Sequence, residues 1–249
     1  MFPVLFHLGS FPISSFGVML ALAFLSGTWL TARRMREIGL DPEAATTMLI
    51  YAMVGGIGGS KLYFAIDVSL REGAPFFPLL FSREGITFYG GLLGAIAAVW
   101  IGTRIHRIPT AQFFDCVCLA GALGQAIGRI GCFLVGDDYG RRTDLPWGIA
   151  FPQGAPPTLE PVHPTQLYES AWLFGVTGWL WTRRNRSPLL WAEYLVLNGI
   201  GRFAVEFLRT NPRVAFGLSE AQLIALGLIG VGGVAWLRSR GRRPATAAA

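Results

Sequence analysis

Two arginines sit where a chain should not carry charge. Arg129 falls within the apolar stretch GQAIGRIGCFLVGDDYG (124–140), with Cys132 three residues on, and Arg202 lies in GRFAVEFLRT (201–210) with Glu206 four residues later. Burying an unpaired charge costs several kcal/mol, about 3 at the centre of a membrane helix, so each needs a partner. Glu206 is at the i,i+4 spacing that permits a pair with Arg202, whereas Arg129 has no acid within one helical turn. One reading is structural, with each guanidinium closing an interhelical ion pair or reaching out to lipid head groups. The sharper reading, preferred here, is that two guanidiniums at matching depth hold an anion, and a phospholipid phosphate fits the planar fork of arginine donors. Asp137 and Asp138 read as solvated turn residues when taken singly. With VHPTQLYES (162–170) they could flank a polar pocket, in which His163 is a candidate base.

The elements that must place these residues are membrane spans. Of 249 residues, 52% are hydrophobic and only 14% charged, and mean hydropathy is +0.47; a soluble domain carries about 25% charged residues. Apolar runs long enough to cross about 30 Å of hydrocarbon fall near 13–32, 45–66, 86–103, 112–135, 165–182, 188–208 and 218–237. The expected fold is therefore all-α, a polytopic integral membrane protein of about seven transmembrane helices with outward-facing loops. The net charge of +6 does not point to nucleic acid, because the basic residues cluster between spans: Arg33, Arg34 and Arg36; Arg104 and Arg107; Arg183, Arg184 and Arg186; Arg238, Arg240, Arg242 and Arg243. These groups fall on one side if the N-terminus is periplasmic and the C-terminus cytoplasmic. The first span lacks a basic n-region and is followed by a basic stop, so it reads as retained. Residues 1–240 read as one transmembrane domain, with 241–249 a disordered cytoplasmic tail.

Cys116, Cys118 and Cys132 lack metal-site or disulfide spacing and read as small apolar packing residues. Glycine clusters at 55–59, 90–94 and 121–131 read mainly as close helix–helix contacts, with a few left to give lipid head groups access to backbone. The long connections, Asp67–Gly85 with an interfacial APFFPLLF and Gly136–His163, face outward and are where a site is expected. No internal repeat or inverted pair of broken helices is present.

GRIGCFLVGDDYG (128–140), VHPTQLYE (162–169), FYGGLLG (88–94) and GRFAVEFLRT (201–210), in this order, resemble the bacterial prolipoprotein diacylglyceryl transferases from about Ser14 to Gln222. The resemblance implies a reaction in the bacterial inner membrane. The diacylglyceryl group of phosphatidylglycerol passes to the lipobox cysteine thiol in the signal peptide of a preprolipoprotein, glycerol phosphate leaves, and a thioether remains. No metal or organic cofactor is implied; the partners are phosphatidylglycerol, the preprolipoprotein and membrane lipid, with no nucleic acid. The implied phosphate-binding arginine falls on Arg129 and the second essential arginine on Arg202, with its paired acid on Glu206. Lipid contacts fall on Arg129, Arg202, Glu206, Gly90, Gly91, Cys132, Gly136, Asp137 and Gly140, and the catalytic set on Arg129, Arg202, His163 and Tyr89.

The chemistry suits these residues. Displacing glycerol phosphate from an sp³ carbon needs charge stabilisation at the leaving oxygen, which arginines supply, and an activated thiol, since a free one is only about 3% thiolate at pH 7. The chain departs from the family pattern at several positions: Tyr89 replaces a histidine before the GG pair, Phe16 a tyrosine, Cys132 an asparagine, Asp137 a glutamate and Asn198 a tyrosine. Proton handling is thus open between His163 or Tyr89 and activation by the electropositive site itself. Two alternatives stand beside the transferase: a divergent paralogue that binds phosphatidylglycerol with low or altered activity, and an anion or lipid transporter. A transporter would need paired charges in the cytoplasmic half, where only Asp115 and Glu193 are found.

Overall fold

The computed structural model describes residues 2–82, 85 and 87–239. The expected tail and the basic residues Arg240, Arg242 and Arg243 lie outside them. Helices occupy all seven predicted places: α1 (Ser15–Glu37), α2 (Ala44–Glu72), α4 (Phe88–Ile105), α5 (Thr110–Val135), α6 (Thr165–Arg183), α7 (Leu190–Val205) and α8 (Glu220–Ser239). α1, α2, α5 and α8 are long and apolar enough to cross a membrane, and Tyr89–Ile105 is a shorter apolar helix. The protein is an all-α polytopic membrane protein. Its connections are not featureless, however. The first long connection starts later than expected, because α2 continues to Glu72, and the APFFPLLF segment forms a short helix, α3 (Phe76–Leu80). Among the described residues, three two-stranded antiparallel ribbons also occur: β1 (Val4–Leu8) with β2 (Phe11–Ser14), β3 (Ile149–Phe151) with β4 (Thr158–Val162), and β5 (Arg213–Ala215) with β6 (Leu218–Ser219).

The chain forms two compact units, Met1–Thr31 with Asp115–Ala249, and Ala32–Phe114. In the second, α2 and α4 meet backbone to backbone. A Cβ added at Gly59 would stand 2.3 Å from the Gly90 carbonyl oxygen, and one at Gly94 would stand 2.2 Å from that of Gly55. No side chain fits there, which is why the glycines recur at four-residue spacing. Ser60 Oγ donates to the Thr87 carbonyl at 2.8 Å and Thr87 Oγ1 to the Ser60 carbonyl at 3.1 Å, closing the seam with a reciprocal pair.

In the first unit, Leu30, Cys118, Leu119, Ala122, Val176, Leu180 and Leu190 form a buried cluster with Trp181, Trp191 and Leu197 packed on it. Polar side chains tie the helices of this unit together at a few points. Ser170 Oγ donates to the Ala126 carbonyl at 2.9 Å, tying α6 to α5. Trp172 Nε1 donates to the Leu197 carbonyl at 3.0 Å, tying α6 to α7. The two acids considered for a transporter have structural partners: Asp115 Oδ1 accepts from the Trp191 amide at 2.9 Å, and Glu193 pairs with Arg183 at 3.0 Å. α5 stops at Gly136, whose left-handed φ of +75° lets its amide and that of Asp137 both return to the Cys132 carbonyl.

Candidate functional site

The end of α5, the connection that follows it, the start of α6 and the end of α7 come together at one place. The connection is held there by backbone: the Gly140 amide donates to the His163 carbonyl at 2.8 Å, the His163 amide to Arg141 at 3.0 Å, and the Arg141 amide to Leu208 at 2.7 Å. A Cβ on Gly140 would meet the Leu208 oxygen at 2.6 Å and the His163 Cβ at 2.9 Å, so only glycine passes. The first two side chains of α6 finish the attachment. Thr165 Oγ1 donates to the Asp138 carbonyl at 2.8 Å, and Gln166 Nε2 donates to that of Asp137.

This scaffold closes a ring of three arginines and three acids. Arg129 Nη1 meets Asp138 Oδ2 at 2.8 Å and its Nε meets Glu169. Glu169 Oε1 receives Arg202 Nη1 at 2.8 Å, and Arg202 Nη2 meets Glu206 Oε2 at 3.1 Å. Arg209 completes the circuit, 3.7 Å from Glu206 and 2.5 Å from Asp138 Oδ1, with Glu169 4.0 Å across the ring. Asn211 Nδ2 donates to Glu206 Oε1 at 2.7 Å. The predicted Arg202–Glu206 pair is present, although Glu206 begins a 3-10 turn (Glu206–Leu208) beyond the end of α7.

Arg129 and Arg202 thus converge, but on a shared carboxylate and not on an open anion site. The partner that Arg129 required from elsewhere in the chain is Glu169, buried with 7% of its side chain exposed, as a guanidinium in an apolar interior demands. Asp138, read as a solvated turn residue, does sit in a left-handed turn at φ +61°, yet its carboxylate bridges Arg129 and Arg209. Arg209 was missed altogether. Its signal was the i,i+3 spacing from Glu206 within a motif already singled out.

The remaining predicted residues fall as follows. Cys132 lies half-buried, its sulfur 3.9 Å from Arg129 Nη1. Asp137 follows Gly136 with Oδ1 buried and unpartnered among the described residues; burial, added to by the charge of Asp138, raises its carboxyl above the ordinary range, against a hydrogen bond with Cys132 that lowers it. Burial would also raise Asp138, but the guanidiniums of Arg209 and Arg129 more than reverse that and hold it low. His163 is buried, with Nδ1 3.3 Å from the Tyr168 hydroxyl, which accepts from Trp147 Nε1 at 2.8 Å. Burial and then Arg141 push its imidazole below the usual histidine value, so it is neutral at pH 7. No hydrogen bond joins the imidazole to the ring among the described residues. Tyr89, Gly90 and Gly91 belong to the other unit. Tyr89 is exposed on the first turn of α4, while added Cβ atoms on Gly90 and Gly91 would stand 2.5 Å from the Gly59 oxygen and 2.6 Å from Ser60 Oγ, so their small size serves the α2–α4 seam. Around Arg129, Gly124 and Gly131 face Ala23 and Phe16 of α1, and Gly128 alone opens on space.

A cavity of about 270 Å³ lies beside the ring, lined by Tyr168, Glu169, Trp172, Gly201, Ala204 and Leu208 among others and almost wholly apolar. It brings an apolar wall up to a carboxylate of the ring. Cys132, Asp137 and Asp138 hold a thiol and two carboxylates within 4.8 Å of one another. Of these, the Asp138 carboxylate is already held by the guanidiniums of Arg129 and Arg209.

Comparison with known proteins identifies the family of the chain. The family model described as prolipoprotein diacylglyceryl transferase matches residues 3–238. Among relatives named phosphatidylglycerol–prolipoprotein diacylglyceryl transferase, that of Clostridium tetani is 35% identical over 92% of this chain and 94% of its own. That of Nitratidesulfovibrio vulgaris is 34% identical over 99% and 97%, and that of Chromohalobacter salexigens 32% identical over 95% and 92%. The chain belongs to the prolipoprotein diacylglyceryl transferase family.

Proposed function

We propose that this chain transfers the diacylglyceryl group of phosphatidylglycerol to the thiol of the lipobox cysteine in a preprolipoprotein. It works in the bacterial inner membrane, N-terminus periplasmic and C-terminus cytoplasmic, with the arginine ring at the periplasmic ends of α5 and α7. The observation that supports this reading most is the ring itself: three guanidiniums assembled beside an apolar cavity, in a chain of this family.

The cysteine sulfur attacks the glycerol carbon that bears the phosphate ester. The C–S bond forms as the C–O bond breaks, and the electron pair leaves with glycerol phosphate. Arg129 and Arg202 act on the phosphate, offering preorganised donors to the charge that grows on its oxygens in a poorly solvated site. Glu169 and Glu206 keep both guanidiniums aimed. In the unit that holds the ring, the candidate acceptor of the thiol proton is His163, neutral at pH 7.

The test is the purified protein in micelles with phosphatidylglycerol and a lipobox peptide, read by mass spectrometry for the thioether. Product is expected from the wild type, with Arg129→Ala inactive but folded and Arg202→Lys severely impaired, since an ammonium cannot reproduce a bidentate fork. A wild type that binds the lipid and makes no thioether overturns the assignment in favour of the divergent, binding-only paralogue.

A further inference from the structure

The three acids of the ring are not alike. Glu206 and Glu169 stand on helical turns with 0% and 7% of their side chains exposed, while Asp138 stands on the connection with 43% exposed. Each oxygen of the Asp138 carboxylate takes one donor from a different element: Oδ2 from Arg129 Nη1 at 2.8 Å and Oδ1 from Arg209 Nη2 at 2.5 Å. Two guanidiniums gripping two oxygens of one anion is the arrangement that a phosphate ester would receive. The backbone of Asp138 is fastened separately, its carbonyl accepting from Thr165 Oγ1 at 2.8 Å and Arg209 Nη1 at 3.0 Å. The side chain can therefore turn away without moving the loop.

Charge leads to the same place. Three arginines and three carboxylates leave the closed ring neutral, so an arriving phosphate makes it anionic unless a carboxylate withdraws. Glu169 and Glu206 cannot withdraw without exposing or burying bare charge in the helix interior. Asp138 is next to water and needs only a side-chain rotation.

We propose that the Asp138 carboxylate is a built-in occupant of an anion subsite formed by Arg129 and Arg209, and that the phosphate of the substrate, or the glycerol phosphate product, binds by displacing it. This rests on the transferase reading for the identity of the anion, but not for the existence of the subsite. Asp138 then sets the affinity of the site: lipid binds only in competition with it, and its return helps expel the product. Apparent affinity is lowered by the fraction of time the carboxylate is out.

The test uses Asp138→Asn, which keeps the size of the side chain and suits the left-handed backbone at this position, with Asp138→Asn/Arg209→Gln as a second variant. Glycerol 1-phosphate and inorganic phosphate are titrated against purified protein in micelles, and protection from thermal unfolding is read. Separately, KM for phosphatidylglycerol is measured in the transfer assay. For Asp138→Asn the half-protecting concentration of glycerol 1-phosphate is expected to fall at least about fivefold, as an internal competitor is removed, KM to fall with it, and both gains to vanish in the double variant. An unchanged or higher half-protecting concentration overturns the inference and leaves Asp138 a support for Arg209 alone. A gain in phosphate protection with no thioether from any variant preserves the subsite and rejects the transferase reading instead.

Discussion

Replacing Glu169 by glutamine removes the one carboxylate that Arg129 and Arg202 share. At the 2.8 Å separation from Arg202, the gross attraction at an effective dielectric of 20 is about 6 kcal/mol. Much of that is offset by desolvation, and 23% and 27% of the two arginine side chains remain exposed, so the gross figure must be discounted. Arg129 keeps Asp138 and Arg202 keeps Glu206, which places the loss at the lower edge of what breaking a buried pair costs, about 3 kcal/mol. For a chain of this length that is a fall in Tm of about 6–12 °C. Thermal unfolding of purified Glu169→Gln in micelles reads it directly, with Glu160→Gln as the comparison. The Arg142–Glu160 pair is of similar length, 3.0 Å, but both side chains are mostly exposed, 65% and 59%, and such pairs contribute about 0–1 kcal/mol. If the two variants unfold within 2 °C of each other, the ring does not hold the ends of α5, α6 and α7 together and the reasoning is refuted.

Two further outcomes are expected. Asp137→Asn should raise Tm at pH 8: the carboxyl is raised in the folded state by burial, so its ionised form penalises folding above the folded value, and the penalty is relieved as pH falls through that value and gone below the unfolded value of about 4. A Tm difference that grows as the pH is lowered would contradict the sign. In the glycine seam, Gly59→Ala should destabilise by about 1–3 kcal/mol through overpacking, its Cβ meeting backbone at 2.3 Å, while Gly58→Ala, one position away with nothing within 4 Å, should be neutral or stabilising by up to about 1 kcal/mol. Equal shifts in thermal unfolding of the two variants would remove the contact.

What the sequence made legible was what a local rule governs. All seven long helices stand where apolar length placed them, and Arg202 meets Glu206 because four residues make one turn. The hairpins escaped notice because two to five residues give little periodicity: β1 is exposed along its whole length, from Val4 to Leu8, and no alternation of buried and exposed positions marks it. The ring was only half legible for the opposite reason. Glu169 lies in the quoted VHPTQLYES stretch and Arg209 in GRFAVEFLRT, but which partners they would face depends on how α6 and the 3-10 turn meet the end of α5. Asp138 misled because its local signal, a turn after a glycine, is correct and says nothing of where its carboxylate points.

The ring also constrains how the protein is made. Its members run from Arg129 to Arg209, and the unit that contains it joins Met1–Thr31 to a segment that begins only at Asp115. Synthesis proceeds from the N-terminus, so α5 leaves the ribosome with Arg129 bare, meets Asp138 nine residues later, and waits forty residues for Glu169 and eighty for Arg209. A nascent chain halted before α6 would hold an arginine that the bilayer resists by up to about 3 kcal/mol. Secure integration of the fifth helix is therefore a late event, dependent on segments not yet translated when that helix first reaches the membrane.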